Sequence, residues 1–185
     1  MQEPNILLGV PSGGHPHIDF VNSLVALVSA QIVTGVLIVP RLPVHQARMR
    51  IAHSAQPGKH THILFIDDDM VFTPEDVLSL IQADKPIISG LYVRRSKNAP
   101  VPIVYDDNGV LCAPPTKLSR VGSTSLAFTL VAMDVLERTG KEFYFEGYKG
   151  EDMTFADEVR SLGIEWWIDP SVKIGHVTEH TAYPE

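Results

Sequence analysis

Three consecutive aspartates, Asp67-Asp68-Asp69, directly follow the apolar run Ile63-Leu64-Phe65-Ile66. Carboxylates packed this closely repel one another unless a cation compensates. Hard oxygen donors of this kind suit Mg2+ or Mn2+ carrying a phosphate-bearing substrate; the alternative is a solvated acidic turn. A second acidic pair, Glu151-Asp152, follows Gly147-Tyr148-Lys149-Gly150 and opens a helical pattern. Acidic residues in a first turn are ordinary partners of the helix dipole. A carboxylate held at a site mouth can also act as a general base toward an acceptor hydroxyl. The third feature is His176 in Lys173-Ile174-Gly175-His176. It is either a structural histidine or the imidazole that joins carboxylates around Mn2+. The other histidines are scattered, and His60 and His62 have no evident partner set.

The elements that must position these groups follow from apolar periodicity. Ile6 to Val10 reads as a strand leading into Pro11-Ser12-Gly13-Gly14, followed by a helix around 18–32, with Ile18, Val21, Val25, Val28 and Ile32 at helical spacing. A strand around 33–39, ended by Pro40, precedes a helix around 44–55 with Val44, Ala47, Ile51 and Ala55 on one face. His62 to Ile66 is a strand delivering the aspartates, and Thr73-Pro74-Glu75-Asp76 reads as a capped helix start. Pro86 to Gly90 is a strand, and Asp107-Asn108-Gly109 a hairpin turn within the Pro-rich, polar stretch 94–120. Leu126 to Ala132 reads as a strand, Met133 to Thr139 as a short helix, and Glu151 to Leu162 as a helix stopped by Gly163. Ile164 to Ile168 is a strand ending at Asp169-Pro170, and Val172 to His176 a further short one. Such alternation predicts an α/β fold with a doubly wound, mostly parallel sheet, helices on both faces, and ligands at the carboxyl ends of the strands.

Composition narrows the field. The 185 residues carry a formal charge of −7, with 44% hydrophobic and 20% charged residues, an ordinary globular balance. The length suits one domain with one core, and the acidic balance argues against non-specific nucleic-acid or membrane-surface binding. A lone cysteine, Cys112, forms no intramolecular disulfide, which fits a reducing, cytoplasmic setting. Phe20 to Val39 lacks charged residues, but Asn22, Ser23, Ser29, Gln31 and Thr34 dilute it and its period changes midway, so no membrane span is expected.

The ordered set of strand-Asp-Asp-Asp, Gly-Glu-Asp and Gly-His resembles the GT-A glycosyltransferases, particularly short family-two-like members. The stretches that carry the likeness are Gln46-Ala47-Arg48, Phe65-Ile66-Asp67-Asp68-Asp69, Gly90 to Arg95, Val121-Gly122, Gly150-Glu151-Asp152 and Trp167 to His176. The resemblance implies a metal-dependent transferase using a nucleoside-diphosphate sugar, with a UDP-sugar as first guess and Mn2+ or Mg2+ as cofactor. It implies that Asp67-Asp68-Asp69 is the family's Asp-x-Asp motif, that Asp67, Asp69 and His176 form the metal set, and that Asp67 and Asp68 face the donor. Pro11, Ser12, Gly13 and Arg48 would line the nucleotide, Gly122 the donor loop, and Glu151-Asp152 the catalytic pair, with Asp152 as base in an inverting transfer. It divides the single domain into a nucleotide-sugar half, 1–93, and an acceptor and catalytic half, 94–185. Arg94 and Arg95 would meet phosphate or stand as a solvated pair.

The sequence departs from the family in two places. The segment Val39-Pro40-Arg41-Leu42-Pro43 has no aspartate to contact a uracil base, and nine residues (177–185) follow His176. Acceptor recognition would then fall to residues 94–120, to a partner protein or to an oligomer, and the acceptor itself is not named by the sequence. The C-terminal histidine also occurs in retaining members of the fold. Two other classes stay open. Asp67-Asp68-Asp69-Met70-Val71 fits the pattern of haloacid-dehalogenase-type phosphatases, with Asp67 as nucleophile. The third class is a non-catalytic sugar-nucleotide-binding subunit.

Overall fold

The computed structural model describes residues 4–94 and 101–177. The strands are β1 (Ile6–Ser12), β2 (Gly35–Pro40), β3 (His62–Ile66), β4 (Met70–Val71), β5 (Ile87–Leu91), β6 (Val93–Arg94), β7 (Val101–Pro102), β8 (Ser119–Val121), β9 (Phe128–Ala132), β10 (Trp166–Lys173) and β11 (Gly175–His176). The helices are α1 (Ile18–Ser29), α2 (Val44–Ser54), α3 (Pro74–Gln82), α4 (Met133–Arg138) and α5 (Glu151–Ser161). Seven strands form one mixed sheet in the order β2-β1-β3-β9-β5-β10-β8. Strands β2, β1, β3, β5 and β10 run one way, and β9 and β8 run against them.

Period-two alternation splits each central strand between two cores. From β3, Ile63 and Phe65 join a cluster with Ala47 and Ile51 of α2, Val135 of α4 and Phe155 of α5. Leu64 and Ile66 point the other way, to Phe20 and Leu27 of α1 and Val77 and Leu80 of α3. The sheet is therefore covered on both faces, as the alternation of elements predicts. Gly9 of β1 lets α2 come close, because a Cβ there would collide with the Ile51 side chain. Helix α3 starts where the cap signals place it: Thr73 Oγ1 accepts from the Asp76 N–H at 3.3 Å, and Asp76 Oδ2 accepts from the Thr73 N–H at 2.8 Å.

Four differences from the sequence reading have physical reasons. One central strand runs against its neighbours in the otherwise mostly parallel sheet: β9 enters antiparallel between β3 and β5, in the same direction as the preceding β8. The apolar positions Ile18, Val25 and Val28 of α1 are exposed, and Phe20, Ser23 and Leu27, one helical face over, are buried. Strand β10 does not stop at Asp169-Pro170 but continues through a register shift to Lys173. The last short strand narrows to β11, which pairs antiparallel with β4 rather than joining the main sheet. The uncharged segment Phe20 to Val39 is spent on α1 and β2, and no described helix is long and apolar enough to cross a membrane.

The Asp107-Asn108-Gly109 turn forms as expected, with Gly109 at φ 74° and the Asp106 N–H on the Val110 carbonyl at 3.0 Å. Behind it, the Gly122 N–H donates to the Tyr105 carbonyl at 2.9 Å, and the backbone of Asp106 and Asp107 occupies the place of a Gly122 side chain. That obstacle is main chain and cannot rotate away. Gly122→Ala should therefore lower unfolding free energy by at least the roughly 1–3 kcal/mol typical of overpacking, read as an earlier urea midpoint; an unchanged midpoint would refute this packing.

Candidate functional site

The strand order reverses beside β1: the chain passes from β1 outward to β2, then back across β1 to β3. The crevice outside the carboxyl ends at such a switch point is where open α/β sheets bind ligands. The β1–α1 loop and the three aspartates meet there. Asp68 ties them together, its Oδ2 accepting from Ser12 Oγ at 2.6 Å and from the Gly13 N–H at 3.1 Å. Ser12 Oγ in turn accepts from the Gly14 N–H at 3.0 Å. Pro11 and Ser12 are buried, whereas Gly13 is exposed with open space beside it.

The aspartate turn is held by its backbone from several directions. Its Met70 N–H bonds the Asp67 carbonyl at 3.2 Å, and the Asp67 N–H bonds the Ala127 carbonyl just before β9 at 3.0 Å. The His17 N–H donates to the Asp68 carbonyl at 3.0 Å and the Val177 N–H to the Asp69 carbonyl at 2.8 Å. Pairing of β4 with β11 carries His176 alongside, so that its Nε2 lies 3.4 Å from Asp69 Oδ2. His176 Nδ1 sits 2.7 Å from the Val93 carbonyl, an acceptor only, so Nδ1 carries a proton. With the ring held this way, Nε2 is the nitrogen presented to Asp69.

Asp67 is engaged elsewhere. Arg48, only 1% exposed, donates through Nη2 to Asp67 Oδ1 at 2.8 Å and through Nη1 to Glu151 Oε1. The structure thus places Arg48 and Glu151 beneath the site rather than at its mouth, because an isolated buried guanidinium requires carboxylate partners. Glu151 is itself only 6% exposed. Asp152, one residue on, is half-buried, with Oδ1 accepting the Met153 N–H at 2.8 Å. Gly150 leaves room for that carboxylate, since a Cβ there would lie 3.0 Å from Asp152 Oδ1. The preceding loop is pinned by the Lys149–Asp157 ion pair and by Thr154 Oγ1, which donates to the Tyr144 carbonyl at 2.6 Å. Lys149 and Arg160 hold the Asp157 carboxyl below its usual range.

Asp67, Asp68, Asp69, His176, Ser12 and Gly13 are thus brought to one crevice, and Asp152 is linked to it through Glu151 and Arg48. Among the described residues, no group of three or more His, Cys, Asp or Glu side chains is arranged to hold a metal. Gly122 contacts the 105–107 backbone, and its carbonyl accepts from Arg160 Nη2 at 3.2 Å, so it is held by the 105–107 turn and α5 rather than by the aspartate turn. Arg94 is exposed, and Arg95 lies outside the described residues. Sequence reasoning missed Tyr92. Its ring meets His176 edge-on at 6.1 Å, and its buried hydroxyl has no well-formed hydrogen bond although Ser125 lies alongside. Burial pushes that hydroxyl's pKa far up, so it stays protonated. The signal was a lone tyrosine directly after an apolar strand.

No family model matches the chain, and no curated protein matches its sequence. Solved structures do share the fold. A197 from STIV is similar with a TM-score of 0.70 at 18% identity, over 94% of this chain and 86% of that one. GalNAc-T7, in a structure with UDP, GalNAc and Mn2+, is similar with a TM-score of 0.67 at 10% identity, over 95% of this chain. The match spans 44% of the GalNAc-T7 chain. The fold is the GT-A-like α/β arrangement.

Removing the Arg48 guanidinium strands two carboxylates, one of them deeply buried. Arg48→Met should cost about 3–5 kcal/mol near neutral pH. In that variant burial raises the Glu151 carboxyl above its unfolded value, so stability is present at low pH and lost as pH rises through the folded value. The deficit against the native chain should consequently shrink between pH 7 and roughly pH 4, and the added Glu151→Leu change should recover part of it. Denaturant titrations at both pH values check this; a pH-independent deficit would count against the buried pair.

Proposed function

We propose that the chain is a metal-dependent glycosyltransferase that moves a sugar from a nucleoside-diphosphate sugar to an acceptor hydroxyl, with residues 1–93 serving mainly the donor and 94–185 the acceptor and catalysis. The observation that carries this reading is the pairing of Asp69 with His176 at the carboxyl end of β3, inside the switch-point crevice. A carboxylate and an imidazole whose far nitrogen is fixed on a backbone carbonyl make a donor set suited to Mn2+ or Mg2+, with the outer hydrogen bond that metal-binding histidines commonly have. Asp69 and His176 would hold the ion, and Asp67, occupied by Arg48, would complete the set only by rotating away or sharing its second oxygen. When bound, the ion supplies Lewis-acid stabilisation of the charge that grows on a departing diphosphate.

The chain's own groups divide the remaining work. Ser12 and Gly13, locked to Asp68, form the floor on which the nucleoside rests. Asp152, at the start of α5, takes the proton from the acceptor hydroxyl as that oxygen bonds to the anomeric carbon and the bond to diphosphate breaks, which inverts the configuration. Glu151 fixes Asp152 through Arg48 rather than reacting. UDP, held in the GalNAc-T7 structure together with GalNAc and Mn2+, is the reference donor nucleotide. The phosphatase alternative has less support, because the carboxylate it needs as nucleophile is ion-paired to Arg48.

Calorimetric titration with nucleoside diphosphates, with and without Mn2+, tests the donor half. Binding should require the ion and fall by at least roughly tenfold in Asp69→Ala. Asp152→Asn should keep nucleotide binding and lose roughly 10²–10⁴-fold in sugar transfer to an acceptor or to water. Metal-dependent binding without turnover on any acceptor would favour a non-catalytic binding subunit, and an acid-labile aspartyl phosphate would favour the phosphatase.

A further inference from the structure

Arg41 stands at the outer end of the same crevice and takes no part in the interactions described so far. It follows the last residue of β2, and its N–H donates to the Ser12 carbonyl at 2.8 Å, extending the β1–β2 ladder by one bond. Its backbone adopts φ 60°, a left-handed conformation uncommon for a side chain this large. Its side chain lies along Gly14, whose φ is 97°: Cγ and Nε of Arg41 are 3.0 Å from where a Gly14 Cβ would be. Glycine at 14 thus makes the slot that Arg41 fills. The guanidinium is exposed, and no carboxylate among the described residues pairs with it.

The order of the strand ends gives this cation a meaning. Across the crevice run Arg41 after β2, Ser12 and Gly13 after β1, and the aspartates after β3, with His176 beyond them. Neighbouring strands lie ~4.8 Å apart, so Arg41 is about 10 Å from the Asp69–His176 side. A nucleotide with its diphosphate at Asp69 and His176 and its ribose over Gly13 brings its base, not its phosphates, to Arg41. An arginine offers donors only, in a fork. Guanine alone among the common bases carries two adjacent acceptors, O6 and N7, on the edge facing away from the ribose. Adenine places an amino donor beside N7, uracil presents an N–H donor between its two carbonyls, and cytosine's adjacent acceptors include the oxygen next to the ribose.

We infer that the donor is a guanosine-diphosphate sugar whose base is read by Arg41 through O6 and N7. The inference rests on the transferase reading above and replaces UDP as the preferred nucleotide. Its test is titration of the full chain, with Mn2+, by GDP, UDP, ADP and CDP. The native chain should bind GDP at least roughly tenfold more tightly than the other three, the scale of one bidentate base contact. Arg41→Asn suits the left-handed backbone and should weaken GDP roughly 10–100-fold while changing UDP little. A native chain that binds another nucleotide as tightly as GDP would overturn the inference and leave the transferase reading standing. So would an equal loss of GDP and UDP in Arg41→Asn, which would make Arg41 a phosphate contact. Failure of folded protein to bind any of the four would overturn both.

Discussion

The buried Arg48 guanidinium is the contact on which the arrangement of the crevice depends. A charge taken out of water costs several kcal/mol unless partners repay it, and Arg48 finds them 19 and 103 residues away in sequence, in Asp67 and Glu151. One lies at the end of a central strand and the other opens α5. The first turn of α5 therefore cannot settle independently of the aspartate turn, because either carboxylate moving away would leave uncompensated charge in the interior. Asp152 inherits its place from that constraint. Burial of Phe155, Ala156 and Val159 on the same helix supplies the apolar area that holds α5 down, but apolar packing tolerates sliding, whereas a two-sided ion pair fixes position.

The three aspartates solve their mutual repulsion differently from what three like charges in a row suggest. Each has its own partners rather than one shared cation: Asp67 the Arg48 guanidinium, Asp68 the Ser12 hydroxyl and Gly13 N–H, and Asp69 the neighbouring His176. Successive residues of a turn project in divergent directions, so a run of identical residues can serve separate duties. Of the three, Asp69 is the one with an imidazole opposite. The backbone bonds to segments around residues 17, 127 and 177 explain how so crowded a turn keeps one conformation.

Much of this was legible locally. The strand before the aspartates, the Thr73 cap and the Asp107-Asn108-Gly109 turn are written in residues a few positions apart, and they appear where the sequence puts them. The structure sets Asp69 beside His176, two of the three residues that the GT-A resemblance groups as a metal set. What sequence did not disclose depends on distant partners. Strands β4 and β8 are two and three residues long and exist only because another segment pairs with them. The buried face of α1 includes a serine, Ser23, whose hydroxyl accepts the Phe72 N–H at 3.1 Å, so polarity misdirects the reading there. The Arg48–Glu151 pair did leave a trace: Arg48 falls on the stripe of buried Ala52 and Ala55, where a charge needs an explanation.

Charge then sets the terms of ligand entry. The chain carries a net −7, and carboxylates crowd the crevice, a poor field for an approaching diphosphate. Arg48 cannot relieve this, because both its terminal nitrogens are committed beneath the surface. On the proposed reading, a divalent ion at Asp69 and His176 would meet the anion from one side, and Arg41 stands across the crevice. Placing the two at opposite ends would separate their roles by distance alone: the ion would face the most charged part of a nucleotide, and the arginine its least charged part. On the same reading, a divalent ion bound first would turn a repulsive site into an attractive one, so the charge distribution favours metal before nucleotide without any conformational change.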